Sequence, residues 1–451
     1  MFKNANLATI NGFAKLESIG GTLHLRDNWE LLSLDAFRKL TSIGTDFTLE
    51  TNNKLVNVDE LTSLLSIGGT LKFYDHLNNT TFVSMAGLTN LKTIGMSLFI
   101  QQYNALTDMS GLESLTKVGD NFTLSNNAEL VNFTGLTVLG EVAGRFLLLG
   151  NPKLTSLDGM NALSTVGSDV ALVANLSLYD VSAFGALTEI PGDLEIKTTA
   201  LANLNGFENV TSIGRDVVIE RNESLLNLTG LEKLKLVGRT LLIKANRKLE
   251  LLTGLDALET VTSDFRIDDN DALTTISAIS SLSAASSVLV SGNSGLKNLV
   301  GLSKITVLNV LTIDQNGLES LAGLQNLTQT ARFFLTNNDK LLSLSALANL
   351  SQVSERFEIR LNDAFTSLTG LEGLTDSNVL LIENNDKLTS LDGLTLLTNA
   401  SGYLKVTDNI ALPECNVCSL FDQLSSTPGL LTVENNLNDV CSTGTFPASC
   451  P

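Results

Sequence analysis

Apolar and polar positions along this chain recur with a period of about 24 residues. Each repeat reads I-G-x-x-L-x-I-x-x-N-x-x-L-x-x-L-x-G-L-x-x-L, as from Ile19 to Leu40, and the next repeat begins at Ile43. The L-x-I segment alternates as a β-strand with one buried face does. Repeats of this length are typical of solenoids, in which each turn buries its apolar face against the next. The pattern predicts an all-β solenoid, a right-handed, parallel β-helix-like stack of leucine-rich repeats.

Asparagine follows the strand in most repeats, and its amide is expected to bind backbone groups and to stack on the asparagine of the next turn. Three repeats have His76, Tyr103 or Thr199 at this position instead. The spacing is 22 to 24 residues except for 27 residues between His76 and Tyr103. The asparagine column contains Asn28, Asn52, Asn127, Asn151, Asn175, Asn222, Asn246, Asn270, Asn293, Asn316, Asn338, Asn362, Asn385 and Asn409.

The longer spacing predicts a three-residue insertion that places Asn78-Asn79-Thr80-Thr81 at a loop tip. Both asparagines belong to Asn-x-Thr sequons, so Asn78 or Asn79 is expected to carry an N-glycan in a eukaryotic host. Asn175 also lies in a sequon, but its place in the asparagine column predicts that it stays unmodified.

Small residues occupy two positions in each repeat. The glycine after isoleucine, such as Gly44, is expected to adopt a positive φ at the corner before the strand. The Gly or Ala before the second apolar ridge is expected to allow close packing of the backbone.

The repeats divide the chain into two predicted segments. Residues 1–412 form a solenoid of seventeen repeats without an N-terminal cap, and residues 413–451 form a cysteine-containing C-terminal cap. In the cap, Val417, Leu420, Phe421 and Leu424 have helical spacing, and a final strand and asparagine follow.

All four cysteines lie in this cap, at Cys415, Cys418, Cys441 and Cys450. An even set confined to one end predicts two disulfides that staple the cap, with the connectivity left open. Because disulfides persist in oxidising compartments, we expect an extracellular or cell-surface protein. A zinc site is the alternative, since Cys415-x-x-Cys418 has a ligand spacing.

Charge and hydropathy narrow the range of partners. The net charge is −19 and the isoelectric point about 4.5, which argues against nucleic acid and against anionic membrane surfaces. No apolar run reaches the roughly 18 residues that a membrane-spanning helix needs.

Motifs such as Leu112 to Gly119, followed by Leu124-Ser125-Asn126-Asn127, resemble the receptor L-domain repeat. That family includes the ligand-binding L domains of insulin- and EGF-type receptors, fungal GPI-anchored wall proteins and long secreted microbial proteins. The resemblance covers essentially the whole chain, and Leu412-Pro413-x-Cys415 with the later Cys441 resembles the ending of the microbial members.

The chain departs from those receptors because its repeats run on without cysteine-rich modules, so a growth-factor ligand is not implied. A leucine-rich-repeat horseshoe is the alternative fold, since Asn316-Gly317-Leu318 has the N-x-L spacing of that class.

The outward strand positions are the candidate binding surface. Leu147, Leu149, Ala171 and Val173 are predicted to expose an apolar patch on two adjacent turns, and such patches often mark interaction sites. We expect a non-catalytic binding or adhesion module for a protein or glycan, without catalytic residues, cofactor or metal. A structural wall or matrix spacer is the alternative, and a carbohydrate-active β-helix enzyme is a further one.

Overall fold

The computed structural model of the chain describes residues 1–425 and 427–437, with the side chains of 76–78 excepted. The chain folds as a parallel β-solenoid of about 17 turns with a spacing of about 24 residues, as the sequence predicts. It comprises two compact units, an N-terminal unit (1–225 and 229–234) and a C-terminal unit (226–228 and 235–451).

The N-terminal unit has two parallel strands in most turns, a longer strand in a main sheet and a two-residue strand at the corner before it. Equivalent residues pair in register, as Phe122 does with Phe146. The main strands are Leu23–Arg26, Phe47–Glu50, Leu71–Asn79, Leu98–Tyr103, Phe122–Ser125, Phe146–Leu149, Val170–Val173, Leu194–Lys197 and Val217–Glu220. The corner strands are Ser18–Ile19, Ser42–Ile43, Ser66–Ile67, Thr93–Ile94, Lys117–Val118, Glu141–Val142, Thr165–Val166, Glu189–Ile190 and Ser212–Ile213.

The C-terminal unit differs because the corner and main strands merge into single strands in most of its turns. One separate corner strand, Leu236–Val237, precedes the main strand Leu241–Lys244. The strands that follow are Thr260–Asp268, Ala284–Ser291, Val307–Asp314, Gln329–Thr336, Gln352–Arg360, Asp376–Glu383, Tyr403–Thr407 and Leu430–Glu434.

The core of each unit is built from columns of identical positions. The first and third residues of the four-residue main strands are buried, as are Phe146 and Leu148. The rings of Phe122 and Phe146 stack with centroids 5.0 Å apart, which matches the distance between neighbouring strands. The alternating strand pattern therefore assigns the inner and outer faces correctly.

The glycine after isoleucine has a role that differs from the prediction. Gly44 lies outside the positive-φ set; a Cβ there would lie 2.3 Å from the carbonyl oxygen of Gly20, so close approach explains this column. The second small-residue position packs closely against backbone as predicted, since a Cβ at Gly135 would lie 2.1 Å from the carbonyl oxygen of Met109. Positive φ occurs at the second position, for example 105° at Gly135. Some turns form a 3-10 helix there, at Asp35–Phe37, Asp59–Leu61, Ala86–Leu88, Ser182–Phe184, Ser277–Ile279 and Ser345–Leu347.

The asparagine column forms a buried hydrogen-bonded ladder. Asn127 donates its backbone N–H to Oδ1 of Asn151 over 3.0 Å, and Nδ2 of Asn151 donates to the carbonyl of Leu124 over 3.1 Å. The residue before each asparagine is left-handed and is mostly not glycine, as with Ala174 (φ 56°) and Leu361 (φ 53°). The predicted stacking is confirmed, and the left-handed turn lies after the strand, directly before the asparagine.

The three-residue insertion lies elsewhere than predicted. Asn79, rather than His76, pairs with Tyr103 and so occupies the asparagine column. Asn79 is buried, and its Oδ1 accepts the backbone N–H groups of Thr81 and Phe82 over 3.0 and 2.8 Å. The placement of Asn79 on a loop tip is therefore wrong. Asn78 belongs to the strand Leu71–Asn79, its side chain is among those not described, and its glycosylation stays a prediction.

The predicted helix and strand after the repeats are present. Helix α1 spans Glu414–Gln423 and begins directly after Pro413. The strand Leu430–Glu434 pairs in register with Tyr403–Thr407, and Asn436 continues the ladder by accepting the N–H of Asn409 over 3.1 Å. A helix replaces the usual connector in this turn.

Candidate functional site

The outward residues of the main strands form the surface on which a ligand could lie. They are the second and fourth residues of each four-residue strand, so equivalent side chains line up across successive turns about 4.8 Å apart. In the N-terminal unit, Leu147 pairs with Ala171 and Leu149 with Val173. The structure thus brings the four predicted patch residues together on one face.

This patch is less exposed than the sequence indicated. Leu147, Leu149 and Val173 are half-buried, and Ala171 has no exposed surface. Ala171 is covered because its methyl group lies in register between two longer side chains, Leu147 and Glu195. The expectation of four apolar side chains in water is wrong for Ala171, and the remaining three form a small apolar surface.

An ion-pair network borders the patch. Arg145 reaches across two turns to Glu195, with Nη2 and Oε2 3.3 Å apart, and Arg215 contacts Asp169 and Asp193. Burial raises the pKa of Asp169, but hydrogen bonds from the backbone N–H of Asp193 and from Arg215 outweigh it and hold the pKa below its ordinary value. The charges at this edge are therefore paired within the face.

Aromatic side chains extend the apolar surface on earlier turns of the same face. Phe99 shares the outward column of Leu147, and Tyr74 shares that of Leu149. The ammonium of Lys72 lies 5.3 Å from the ring centroid of Tyr74 and 5.4 Å from that of Phe99. Reading the outward columns down several turns would have found this cluster.

A second apolar surface, which the sequence reading missed, lies outside the main sheet. It is a stripe of exposed side chains four residues after the asparagine column, and Tyr179, with 64% of its surface exposed, is prominent in it. In the turn with the insertion the member of this stripe is Val83, four residues after Asn79. The exposed apolar members of the stripe in the N-terminal unit are Leu32, Val56, Val83, Val131 and Tyr179.

The C-terminal unit has a groove of about 560 Å³ on the outward face of its main sheet. Its floor is formed by Leu289 and Thr312, which are shorter than the side chains of Arg266 on one side and Phe334 on the other in the same outward column. The lining residues are Lys244, Arg266, Asp268, Asp269, Leu289, Ser291, Thr312, Asp314, Phe334, Thr336 and Glu358. This volume is within the range of small-molecule sites.

The charged groups of the groove are bound to groups of the protein itself. Arg266 Nη2 lies 2.8 Å from Asp268 Oδ2, and Lys244 Nζ lies 3.7 Å from Asp269 Oδ2. Asp314 accepts hydrogen bonds from Thr336 and, over 2.8 Å, from Nδ2 of Asn337. The groove therefore offers oriented polar atoms, and among its described charged groups Asp314 is held by neutral donors and not by a cation.

Glu358, at one end of the groove, belongs to a second ion-pair network. Its Oε2 lies 2.7 Å from Arg356 Nη2 and its Oε1 lies 3.0 Å from Arg360 Nη1. Arg360 and Lys405 also contact Glu383. Burial raises the pKa of Glu358, but the hydrogen bonds from the two arginines dominate and lower it. The side chain therefore stays ionised, which suits a structural anion better than a general acid.

The remaining predicted site residues are only partly described. Cys415 and Cys418 lie on α1 and neither thiol is free. Cys441 and Cys450 lie outside the described residues, so the disulfide pairing stays a prediction. Within 1–425 and 427–437, no cluster of three or more His, Cys, Asp or Glu could hold a metal ion. In the same residues no helix has the length and apolar character to cross a membrane.

Strand pairing, buried leucine columns and the asparagine ladder together define the class of this protein as a leucine-rich β-solenoid. No family model matches the chain, and no curated protein matches it.

Among solved structures, 36 chains match, and one is described as the crystal structure of a TLR13–ssRNA13 complex. The match has 16% identity and covers 92% of this chain and 79% of that chain. Its TM-score is 0.22, so the similarity supports no conclusion about fold or ligand.

Proposed function

We propose that this chain is a non-catalytic binding or adhesion module that takes its ligand on the outward face of the main sheet. The groove across the strands of the C-terminal unit is the observation that carries the proposal, because ligand sites are concave surfaces with a few oriented polar groups. The half-buried apolar surface around Leu147 offers a further contact area in the N-terminal unit. The partner is a protein or glycan, and the acidic chain disfavours nucleic acid.

The same proposal places the protein outside the cell or on its surface. Its support is the confinement of all cysteines to the last 37 residues, which suits a stapled cap in an oxidising compartment. The resemblance of the repeat to receptor L domains and to secreted microbial proteins agrees with this location.

The alternative function is a wall or matrix spacer. It is favoured by the outward ion-pair networks around Asp169 and Glu358, which satisfy their own charges and leave a polar surface. A catalytic role for these carboxylates is disfavoured, because both have pKa values below the ordinary range.

A binding screen tests the proposal. The purified chain would be applied to a glycan array and to a phage-displayed peptide library, and each ligand would be retested on variants with charge substitutions on the outward face. We expect a ligand whose binding is lost with an outward substitution such as Phe334→Asp or Leu147→Asp. Binding that no outward substitution changes, or the absence of any ligand from both libraries, would support the spacer function instead.

A further inference from the structure

The groove of the C-terminal unit has the features of a saccharide site, and we infer that it binds a neutral oligosaccharide lying across the strands. This inference rests on the proposed function and names the ligand class for one part of the outward face. Its grounds are the aromatic wall of the groove, the polar atoms on its floor and the pairing of its cationic side chains.

The aromatic wall is the first ground. Phe334 is half-buried on the outward face, between Thr312 and Glu358 in register. An aromatic face carries partial negative charge and packs well against the C–H groups on one side of a pyranose ring. The short floor residues Leu289 and Thr312 leave the space for such a ring beside Phe334.

The polar atoms are the second ground. The hydroxyl of Thr312 lines the groove floor, where it is placed to donate to a ligand oxygen. Asp314, held by Thr336 and Asn337, accepts from a ligand hydroxyl with its remaining lone pairs. Hydroxyl groups both donate and accept, so a saccharide satisfies both residues.

The charge pattern selects a neutral ligand. Asp268 is paired with Arg266, and Glu358 with Arg356 and Arg360. An anionic ligand would lose its hydration and find no unpaired cation in the groove, and a cationic ligand would find only Asp314, whose partners are neutral groups. A neutral polyhydroxylated ligand loses less hydration free energy on binding. The chain's net charge of −19 further disfavours acidic sugars.

The geometry of the sheet sets the direction of the ligand. Arg266 and Phe334 are three turns apart, which is about 14 Å at the spacing of neighbouring strands. One turn is comparable with the length of one pyranose ring, so an extended chain of three or more sugars spans the groove.

The test is calorimetric titration of the whole chain with cellohexaose, laminarihexaose, mannohexaose and chitohexaose. Hexagalacturonate and hexalysine serve as the acidic and basic probes. We expect at least one neutral hexasaccharide to bind, and Phe334→Ala and Asp314→Asn each to weaken it at least tenfold. Thr312→Trp fills the floor and should abolish binding, whereas Tyr179→Ala, at an exposed aromatic outside the main sheet, should leave it unchanged.

Circular dichroism checks that each variant is folded. If Phe334→Ala does not fold, the result for Thr312→Trp tests the inference instead. The inference is overturned if no neutral probe binds, if the groove variants bind as the parent does, or if only a charged probe responds to Thr312→Trp. If no neutral probe binds while a ligand from the binding screen depends on Leu147, the saccharide inference fails and the proposed function stands.

Discussion

The asparagine ladder ties neighbouring turns together through single residues. Oδ1 of Asn151 accepts both the backbone N–H and the side-chain amide of Asn127, over 3.0 and 3.3 Å. We predict that Asn151→Ala destabilises the N-terminal unit by about 1–3 kcal/mol, because a buried N–H loses its acceptor. Urea denaturation measures the loss, and hydrogen exchange should show reduced protection of the Asn127 amide.

The exposed Asn161→Ala is the matched control and should change stability by less than about 0.5 kcal/mol. Equal effects of the two substitutions would mean that the ladder contributes little.

The left-handed residues that directly precede the ladder asparagines include a position where a substitution should stabilise the fold. Leu361 has φ 53° and is 40% exposed. It therefore has the backbone strain of a left-handed conformation while burying little of its side chain. Because Asn tolerates a positive φ better, Leu361→Asn should raise the free energy of unfolding by about 0.5–1 kcal/mol. Leu342→Asn, at an exposed position outside the positive-φ set, should give no gain. A loss at Leu361 would show that its contacts outweigh the backbone strain.

At the residue scale the sequence predicts the ladder well and one of its members wrongly. A buried Asn that serves a turn is a recognisable signal, and fourteen such positions follow the predicted spacing. The insertion could not be placed, because His76 and Asn79 are both polar and only strand pairing distinguishes them. The burial of Ala171 depends on neighbours one turn away on each side, which a linear pattern does not show.

Among the elements, the strand Gln352–Arg360 gives a pH-dependent prediction through Glu358. The pKa of Glu358 is lowered in the folded protein. The ionised carboxylate therefore contributes fully to the free energy of unfolding above the unfolded-state pKa, and this contribution is lost as the pH falls through the folded-state pKa. Glu358→Gln should cost about 1 kcal/mol at pH 7, since both arginines are more than a third exposed and solvent screens the pairs. The difference from the parent should shrink once the pH is well below about 4.

Urea denaturation at neutral and strongly acidic pH measures this difference. Glu355→Gln, on the same strand, breaks an exposed pair with Arg332 and should cost less than about 0.5 kcal/mol at neutral pH. A cost for Glu358→Gln that is the same at both pH values would contradict the ion-pair explanation.

At the element scale, period and alternation are enough to predict the strands and their register. The helix Glu414–Gln423 is also predictable, because Val417 and Leu420 have helical spacing after Pro413. The groove was not predicted, because it arises from side-chain sizes in one column across five turns, from Arg266 to Glu358. Comparing equivalent positions between turns is the reading that would have found it.

At the scale of the whole molecule, the account depends on which strand positions face outward. The surface around Leu147 can bind a partner only if that column is outside, and it is accessible while the column of Phe146 is fully buried. The division into two compact units was not predicted, since the repeat continues through residues 225–235 without a change of pattern.

The most direct test of the central claim is thermal unfolding, followed by circular dichroism, of two double variants of one strand. Leu147→Asp with Leu149→Lys alters the outward face, and Phe146→Asp with Leu148→Lys alters the core. The outward pair should fold with a melting temperature near that of the parent. The inward pair should be unfolded or strongly destabilised, because buried charges without partners are costly. Unfolding of the outward pair, or tolerance of the inward pair, would contradict the register and the binding surface that depends on it.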